Sequence, residues 1–408
     1  MAEARAKARA EAQAMEEHLA LLQEDIRLRF LMKDEGFSGM SEAERAAKQA
    51  KAKEERLGLI RECTRLYFEK KDPDYSGMSE AERAAEAERR RQEALQEARR
   101  LQMEGHPMGR RREALAHILD FDPKQWGDYY NRFSFVDLTT FDLDEESPLG
   151  PMRFTDAVYK NKRDYQLCHA VNILSIKIAC SDVGFPIHVY GTVIARDSVD
   201  EKCLYLFRRD RNHCQVINSE DESLILTGPK RGLALLDDNY VETDLKIKDH
   251  RGQDRDLSKG ILTIRGIAGR SLKCEVQSHS LATRLSTVDV MYAVVKRAVE
   301  ATIAIEVLQG DFYGKITAHT TSIQNRLVLY DSEGAGAMTG DGHGVIQLVR
   351  PVVSVCVKDM LIIVAQTGGG RSECIIEFTP RVNSRDDDVI TVGVTKMRVM
   401  VAWSIMDP

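Results

Sequence analysis

The chain has 408 residues, of which 43% are hydrophobic and 30% are charged, and its formal net charge is −6. This length allows about two or three compact domains, and the near balance of 58 basic and 64 acidic side chains excludes a strongly basic nucleic-acid binder. Nucleic acid is therefore not indicated as a partner, although local basic patches do not exclude nucleic-acid binding.

Hydropathy, the first residues and the cysteines all indicate a cytoplasmic protein. No apolar run reaches the length of a transmembrane helix, and the polar start predicts no signal peptide, so we expect a cytoplasmic protein. Eight cysteines are present without any Cys-x-x-Cys pair, which is typical of reduced, buried thiols. The sequence accordingly predicts no metal site and no cofactor.

A tandem repeat marks the first region, residues 1–113, which is rich in Ala, Glu and Arg. The segment SGMSEAERAA occurs at 38–47 and again at 76–85. Within the second copy, Ser79 and Glu82 have the spacing of a capping box, so a helix should begin there. The region is predicted to be a charged helical repeat.

An apolar stripe at helical spacing precedes the first copy and includes Leu19, Leu22 and Ile26. Such a stripe must be buried, either between the two copies or in a coiled-coil contact. The helical arm is thus expected to bind a protein partner or to self-associate.

Three consecutive arginines, Arg110, Arg111 and Arg112, close this region in a context of Gly and Pro. Glutamates interleave the earlier arginine clusters but not this one. We therefore expect these three side chains to engage a partner or a phosphate, or to direct entry into the nucleus.

Residues 114–164 are predicted to be an acidic, aromatic connector. The stretch 114–150 alone holds eight acidic and two basic side chains, which accounts for the whole net charge. Its aromatic residues cannot form a core of their own and should lie over the next domain.

Residues 165–408 are rich in Val, Ile, Thr and Gly and consist of short alternating runs separated by turn residues, which is typical of antiparallel strands. Either two packed sheets or two smaller sandwiches joined near 250–285 fit the pattern. The predicted class is therefore α+β multidomain: a helical repeat region followed by an all-β sandwich domain. The expected strands are 173–178, 187–195, 203–207, 224–227, 241–247, 288–295, 298–308, 315–320, 326–330, 352–357, 361–365, 375–378 and 391–405.

Several long blocks carry a resemblance to a known family, among them YGTVIARDSVDEKCLYLFRRDRNHCQVI at 190–217 and VVSVCVKDMLIIVA at 352–365. Over roughly 165–405 the chain resembles a plant family, found mainly in grasses, that is known as domain-of-unknown-function family 6598. The resemblance implies a plant source and brings no catalytic residues. Some members of the family resemble ribosome-inactivating RNA N-glycosidases or are fused to them.

One short string resembles the core of an enzyme active site, and one set of acidic residues resembles a metal site. The glycosidase core Glu-Ala-Ala-Arg is matched only by the string 44–47, Glu-Arg-Ala-Ala, where the order differs. Four acids at predicted strand ends are similar in type to the loop acids of calcium-dependent lipid-binding sandwiches: Asp197, Asp200, Asp237 and Asp238.

Lys230 and Arg231 lie in a turn that could contact an anion or a partner.

The leading hypothesis is a non-enzymatic, plant-specific interaction protein of unknown ligand, related to stress or defence. The alternatives are an RNA N-glycosidase and a calcium-dependent lipid-binding sandwich. No catalytic set is found. The candidate contact residues are Arg110, Arg111, Arg112, Lys230 and Arg231.

Overall fold

The fold is seen in a computed structural model, which describes residues 78–103, 108–125, 127–249, 253–266, 274–335, 344–370 and 372–406. The chain divides into two compact units, Met1–Met78 and Ser79–Pro408, and every element named below belongs to the second. The first copy of the repeat, at 38–47, and the string at 44–47 lie outside the described residues.

Two helices open the described chain, α1 (Glu80–Met103) and α2 (Met108–Ile118), and they pack against each other. The capping box predicted for the second repeat copy is present: the Ser79 amide donates to Glu82 Oε2 at 2.8 Å, and the Ser79 hydroxyl donates to the same oxygen at 2.7 Å. These bonds explain why α1 begins at Glu80.

The predicted α+β class is wrong, because the described residues form a mostly β protein without a helical repeat region. The Ala-, Glu- and Arg-rich composition that predicts helices is confined to the start of the chain. Among the described residues, only α1 and α2 are longer than one helical turn. A 3-10 turn, Arg211–His213, and a single helical turn, α3 (Ser332–Ala335), lie between strands.

The described residues also form twenty strands, and all the ladders between them are antiparallel. They are β1 (Leu119–Asp122), β2 (Gly127–Tyr130), β3 (His169–Ser181), β4 (Ile187–Arg196), β5 (Leu204–Arg209), β6 (Gln215–Ile217), β7 (Leu233–Leu235), β8 (Asp238–Ile247), β9 (Arg255–Arg265), β10 (Glu275–Thr283), β11 (Ser286–Val295), β12 (Ala298–Gln309), β13 (Gly314–Thr320), β14 (Leu327–Asp331), β15 (Gly344–Val345), β16 (Val352–Cys356), β17 (Leu361–Thr367), β18 (Glu373–Phe378), β19 (Asn383–Val392) and β20 (Thr395–Ser404).

The first sandwich packs the sheet β10-β11-β3-β7 against the sheet β5-β4-β8-β9, with β6 beside β4. Alternate residues along these strands point into one apolar core, as the alternating pattern predicts, except where a register shift on β3 places Ile173 and Ile176 on the same face. Ile173 and Ile176 from one sheet and Val189, Val193 and Leu245 from the other are fully buried there.

The second sandwich packs the sheet β15-β12-β20-β19, with β16 beside β12, against the sheet β14-β13-β17-β18. Its core contains Trp403, whose indole Nε1 donates to Asp386 at 2.8 Å, together with Ile305, Ile316 and Ile363. The candidate site described below lies on the outer face of the second of these sheets.

The two sandwiches are joined at the turn between β11 and β12, and not near 250–285, where the chain instead forms β9 and β10. Polar side chains connect them across the joint. Asn172 of β3 donates to the Ser354 carbonyl at 2.7 Å and accepts from the Ser354 amide at 2.9 Å. The buried Arg350 guanidinium donates to the carbonyls of Gly228 and Ile173. These contacts fix the two sandwiches to each other.

The connector contacts both sandwiches: its later part, from Met152 to Tyr159, packs on the second, and its earlier part lies over the first. Phe133 is fully buried and stacks on Tyr240 of β8 with ring centroids 4.7 Å apart. The Phe133 amide donates to Glu242, whose carboxylate also accepts from Arg196 at 2.7 Å. The acidic and aromatic residues of the connector are therefore anchored by the strand residues beneath them.

Candidate functional site

A pocket of about 290 Å³ lies on the outer face of the sheet β14-β13-β17-β18. Its lining combines two cations, two neutral polar side chains and two valines, and no acidic residue belongs to it. The lining residues are Lys315, Thr317, Arg326, Val328, Val364 and Gln366. A few polar groups around an apolar floor are typical of sites for small molecules.

Strand alternation brings these side chains to one face. Ile316 and Ala318 of β13 are buried in the core of the second sandwich, so Lys315 and Thr317 project from the opposite face. The same alternation applies on β17, where Ile363 and Ala365 point inward and Val364 points outward. The lining side chains of β13 and β17 therefore lie on the face of each strand that points away from the core.

The register of β13 and β17 then sets the neighbours. Lys315 is paired with Gln366, and Thr317 is paired with Val364. The pocket consequently rests on two cross-strand pairs that neighbour each other on the outer face of a central ladder, with the core-facing pair of Ile316 and Ala365 between them. Side chains held in this way are positioned more precisely than side chains on a loop.

Thr317 has the most unusual environment of the group. Its side chain is buried, with 6% of the residue exposed, and its hydroxyl has no hydrogen-bond partner among the residues that the structure describes. An unpaired buried hydroxyl costs about 1–3 kcal/mol. A bound group that accepts or donates a hydrogen bond here would remove that cost.

The two cations of the pocket are held only by exposed ion pairs at its edge. Lys315 Nζ lies 3.1 Å from Asp331, and Arg326 Nη2 lies 3.7 Å from Glu373. Exposed pairs of this kind contribute about 0–1 kcal/mol, so both cations can turn toward a ligand at little cost.

His319 follows on the same face of β13, two residues beyond Thr317. Its Nδ1 atom is buried without a partner. Burial lowers the pKa of His319, and the positive charge of Arg326 lowers it further. The imidazole is therefore neutral at neutral pH and is sensitive to any negative charge brought close to Arg326.

Lys230 and Arg231, the cations predicted in the turn, both bind carboxylates of this chain. Lys230 Nζ lies 3.0 Å from Glu146. Arg231 is 1% exposed and donates to Asp197 Oδ2 at 2.6 Å and to Asp200 Oδ1 at 3.1 Å. An anion or partner contact by these two residues stays a prediction.

The same arrangement bears on the predicted acidic cluster. Arg231 neutralises Asp197 and Asp200, and Asp238 accepts the Gly266 amide at 2.9 Å. Among the residues that the structure describes, the four aspartates do not form a group with the spacing of metal ligands. This cluster therefore gives no support to calcium binding.

Arg110, Arg111 and Arg112 lie in the first part of α2, which begins at Met108. The expected partner contact of these residues stays a prediction. No described helix is long and apolar enough to cross a membrane.

The pocket itself was missed by reasoning on the sequence. Lys315 and Arg326 are isolated cations in alternating strands, where solvent exposure is the usual explanation. The signal that existed is Thr317, a polar residue flanked by apolar neighbours, but its register with Val364 depends on which strand lies beside β13. That neighbour is 47 residues away along the chain.

Comparisons with known proteins give a family but no activity. The family model described as "Domain of unknown function (DUF6598)" matches residues 170–401 and so confirms the resemblance noted in the sequence. No curated protein matches the chain.

Solved structures give weak fold likenesses. One is "Extended-Synaptotagmin 2, C2A- and C2B-domains", with 8% identity and a TM-score of 0.22 over 66% of this chain and 99% of that chain. Another is "Human GIVD cytosolic phospholipase A2", with 8% identity and a TM-score of 0.20 over 59% of this chain and 30% of that chain. Scores this low assign no function.

Proposed function

The chain belongs to the family described as a domain of unknown function (DUF6598), and we propose that it is a binding protein whose second sandwich holds a small anionic molecule. The ligand carries a phosphate or carboxylate group on a small apolar body. The observation that carries the proposal is the buried, unpartnered hydroxyl of Thr317 in a pocket that two cations line.

The lining chemistry supports an anion. Lys315 and Arg326 supply up to eight N–H donors between them, and Gln366 adds an amide. Hydrogen bonds from cations to a phosphate or carboxylate oxygen are roughly twice as strong as neutral ones. The Thr317 hydroxyl can donate to the same anionic group.

The floor of the pocket supports an apolar body on the ligand. Val328 and Val364 line it, and Val364 is paired across the ladder with Ile375 of β18, whose side chain is 56% exposed. This apolar strip continues from the cations toward the edge of the sheet. A ring or short alkyl group placed on Ile375 would remove apolar surface from water.

The proposal is tested by calorimetric titration of the full chain with phenyl phosphate, benzoate and benzyl alcohol. Phenyl phosphate or benzoate should bind, and whichever binds more tightly identifies the anionic group. Benzyl alcohol, which has the ring without the charge, should bind at least tenfold more weakly. Equal binding of the alcohol, or no binding of either anion, would refute the proposal.

Three variants sharpen the experiment. Lys315→Met and Arg326→Met each remove one cation and should weaken anion binding about 10- to 150-fold, since one charged hydrogen bond contributes about 1.5–3 kcal/mol. Lys396→Met is the matched control, because Lys396 is an exposed lysine on β20 outside the pocket. If all three variants bind alike, the anion site lies elsewhere.

A binding role is of the same kind as the non-enzymatic function predicted from the sequence. The proposed binding site, however, lies away from the contact residues that the sequence suggested. Contact with a protein partner, a plant source, a role in stress or defence, and RNA N-glycosidase activity stay predictions of the sequence.

A further inference from the structure

Three potential metal ligands come together at the joint of the two sandwiches. Cys274 immediately precedes β10, Cys356 ends β16, and Asp359 lies in the turn between β16 and β17. Their two sulfur atoms and one carboxylate oxygen all lie within 4.8 Å of one another. Cys274 belongs to the first sandwich, and the other two residues belong to the second.

Asp359 is a buried carboxylate, 9% exposed, without a basic partner within ion-pair distance among the described residues. It accepts hydrogen bonds from Ser322 Oγ at 2.6 Å and from Thr320 Oγ1 at 3.5 Å. A buried charge that has no counter-ion is costly, so buried carboxylates are usually paired or bound to metal. The two hydroxyls orient the carboxylate as partners of a metal ligand commonly do.

Both thiols lie beside this carboxylate: Cys356 is buried and Cys274 is partly buried. A bound cation would favour the anionic form of all three ligands.

From this geometry we propose that Cys274, Cys356 and Asp359 bind one zinc ion between the two sandwiches. With Zn–S bonds of about 2.3 Å in a tetrahedral site, two ligand sulfurs lie about 3.8 Å apart, which the observed cluster accommodates. Two thiolates favour zinc over the hard ions calcium and magnesium. Three protein ligands leave one tetrahedral position for water.

Binding displaces the protons of both thiols: one Zn²⁺ ion enters, two S–H bonds become Zn–S bonds, and two protons pass to solvent. No electron is transferred. The ion joins the edge strand β10 of the first sandwich to the β16–β17 turn of the second, so its role is to stabilise the joint that Asn172 and Ser354 also hold. The site lies on residues other than those of the proposed anion pocket.

The experiment uses the full chain, reduced and freed of metal by a chelator, and titrates it with Co²⁺ as a spectroscopic substitute for zinc. One equivalent of Co²⁺ should produce a near-ultraviolet thiolate-to-cobalt absorption band and visible bands of a tetrahedral site. Zinc should then remove these bands by competition. The band should fall by about half in Cys274→Ser and Cys356→Ser, and the visible bands should change in Asp359→Asn.

Cys180→Ser is the matched control, because Cys180 is an exposed cysteine on β3 outside the cluster. It should keep the full cobalt spectrum. To separate lost binding from misfolding, the urea midpoint is measured for every variant with chelator and with zinc. All should match the wild type in chelator, and zinc should raise the midpoint of only the wild type and Cys180→Ser to the full extent.

The proposal is overturned if the reduced protein gives no thiolate-to-cobalt band, or if that band is unchanged in both Cys274→Ser and Cys356→Ser. A disulfide between Cys274 and Cys356 in protein isolated without added oxidant would also overturn it, because both sulfur ligands would then be consumed.

Discussion

Lys315 and Gln366 lie directly opposite each other across the β13–β17 ladder, and both side chains line the same pocket. Thr317 and Val364 form the next pair on the same face of the ladder, and their side chains line the pocket as well. The pocket is therefore built into regular sheet structure. This placement allows its chemistry to be tested by single substitutions that leave the strand pairing intact.

Thr317→Val should leave the free protein as stable as the wild type or more stable. The substitution replaces an unpaired buried hydroxyl with a methyl group of the same shape, so it removes a cost of about 1–3 kcal/mol and breaks no hydrogen bond. Affinity for the anion should fall at the same time. Urea denaturation and calorimetry measure the two effects.

Thr283→Val is the control for this substitution. Thr283 is equally buried, but its hydroxyl bonds to Ser258 Oγ at 2.9 Å and accepts the Lys259 amide at 3.2 Å. It should lose about 1–3 kcal/mol of unfolding free energy. Equal losses in Thr317→Val and Thr283→Val would show that the Thr317 hydroxyl has a partner in the free protein.

The lowered pKa of His319 should make the free energy of unfolding depend on pH. In the unfolded chain an imidazole takes up a proton near pH 6.5, whereas burial and Arg326 hold the pKa of His319 lower in the folded protein. Below about pH 6.5 the unfolded state therefore binds this proton first. The contribution of His319 to the unfolding free energy is constant above that pH and falls as the pH drops toward the folded pKa.

The measurement is the urea midpoint at pH 7.5 and 5.5 for the wild type and for His319→Gln. The decrease on acidification should be smaller in the variant, because the variant has no imidazole at this position. The phosphate-bearing ligand should also reduce the decrease, since its charge favours the protonated imidazole. An identical decrease in both proteins would contradict the lowered pKa.

Arg231→Met should destabilise the protein strongly. The change leaves Asp197 buried without its cation, and breaking a buried pair in this way costs about 3–5 kcal/mol. The double variant Arg231→Met with Asp197→Asn should recover part of the loss, because no buried charge remains unpaired. A double variant that loses the sum of the two single losses would show that the pair is not coupled.

Gly314→Ala should damage the ladder on which the pocket rests. A Cβ atom at Gly314 would lie 2.0 Å from the Gln366 carbonyl oxygen, so the two strands would have to separate. The expected loss is about 1–3 kcal/mol of unfolding free energy together with weaker anion binding. Gly344→Ala is the control, since a Cβ there meets nothing within 4 Å and should change neither quantity.

The sequence predicted most of the strands because their alternation is a local property. The expected strands 173–178, 187–195 and 361–365 lie within β3, β4 and β17. The prediction was wrong at 224–227, which forms no strand. It also missed the edge strands β9 and β10, so 250–285 was interpreted as a junction; β10 is largely exposed and polar on both faces. The exposure of an edge strand depends on the assembled sheet, which a local pattern does not encode.

The site was less predictable than the fold for a similar reason. Arg231 was expected to contact an anion or a partner from a turn, and in the structure Asp197, 34 residues before it in sequence, packs against it. Cys274 and Cys356 show no ligand spacing along the chain, and they meet only because the two sandwiches are joined at β11 and β12. Chemistry assembled from distant strands depends on registers that the sequence leaves open.

The most direct test of the proposed function is a crystal structure of the full chain with phenyl phosphate. The phosphate group should lie between Lys315 and Arg326, with one oxygen within hydrogen-bond distance of Thr317 Oγ1 and the ring over Val364. A ligand bound elsewhere, or an empty pocket at a concentration where calorimetry shows saturation, would contradict it.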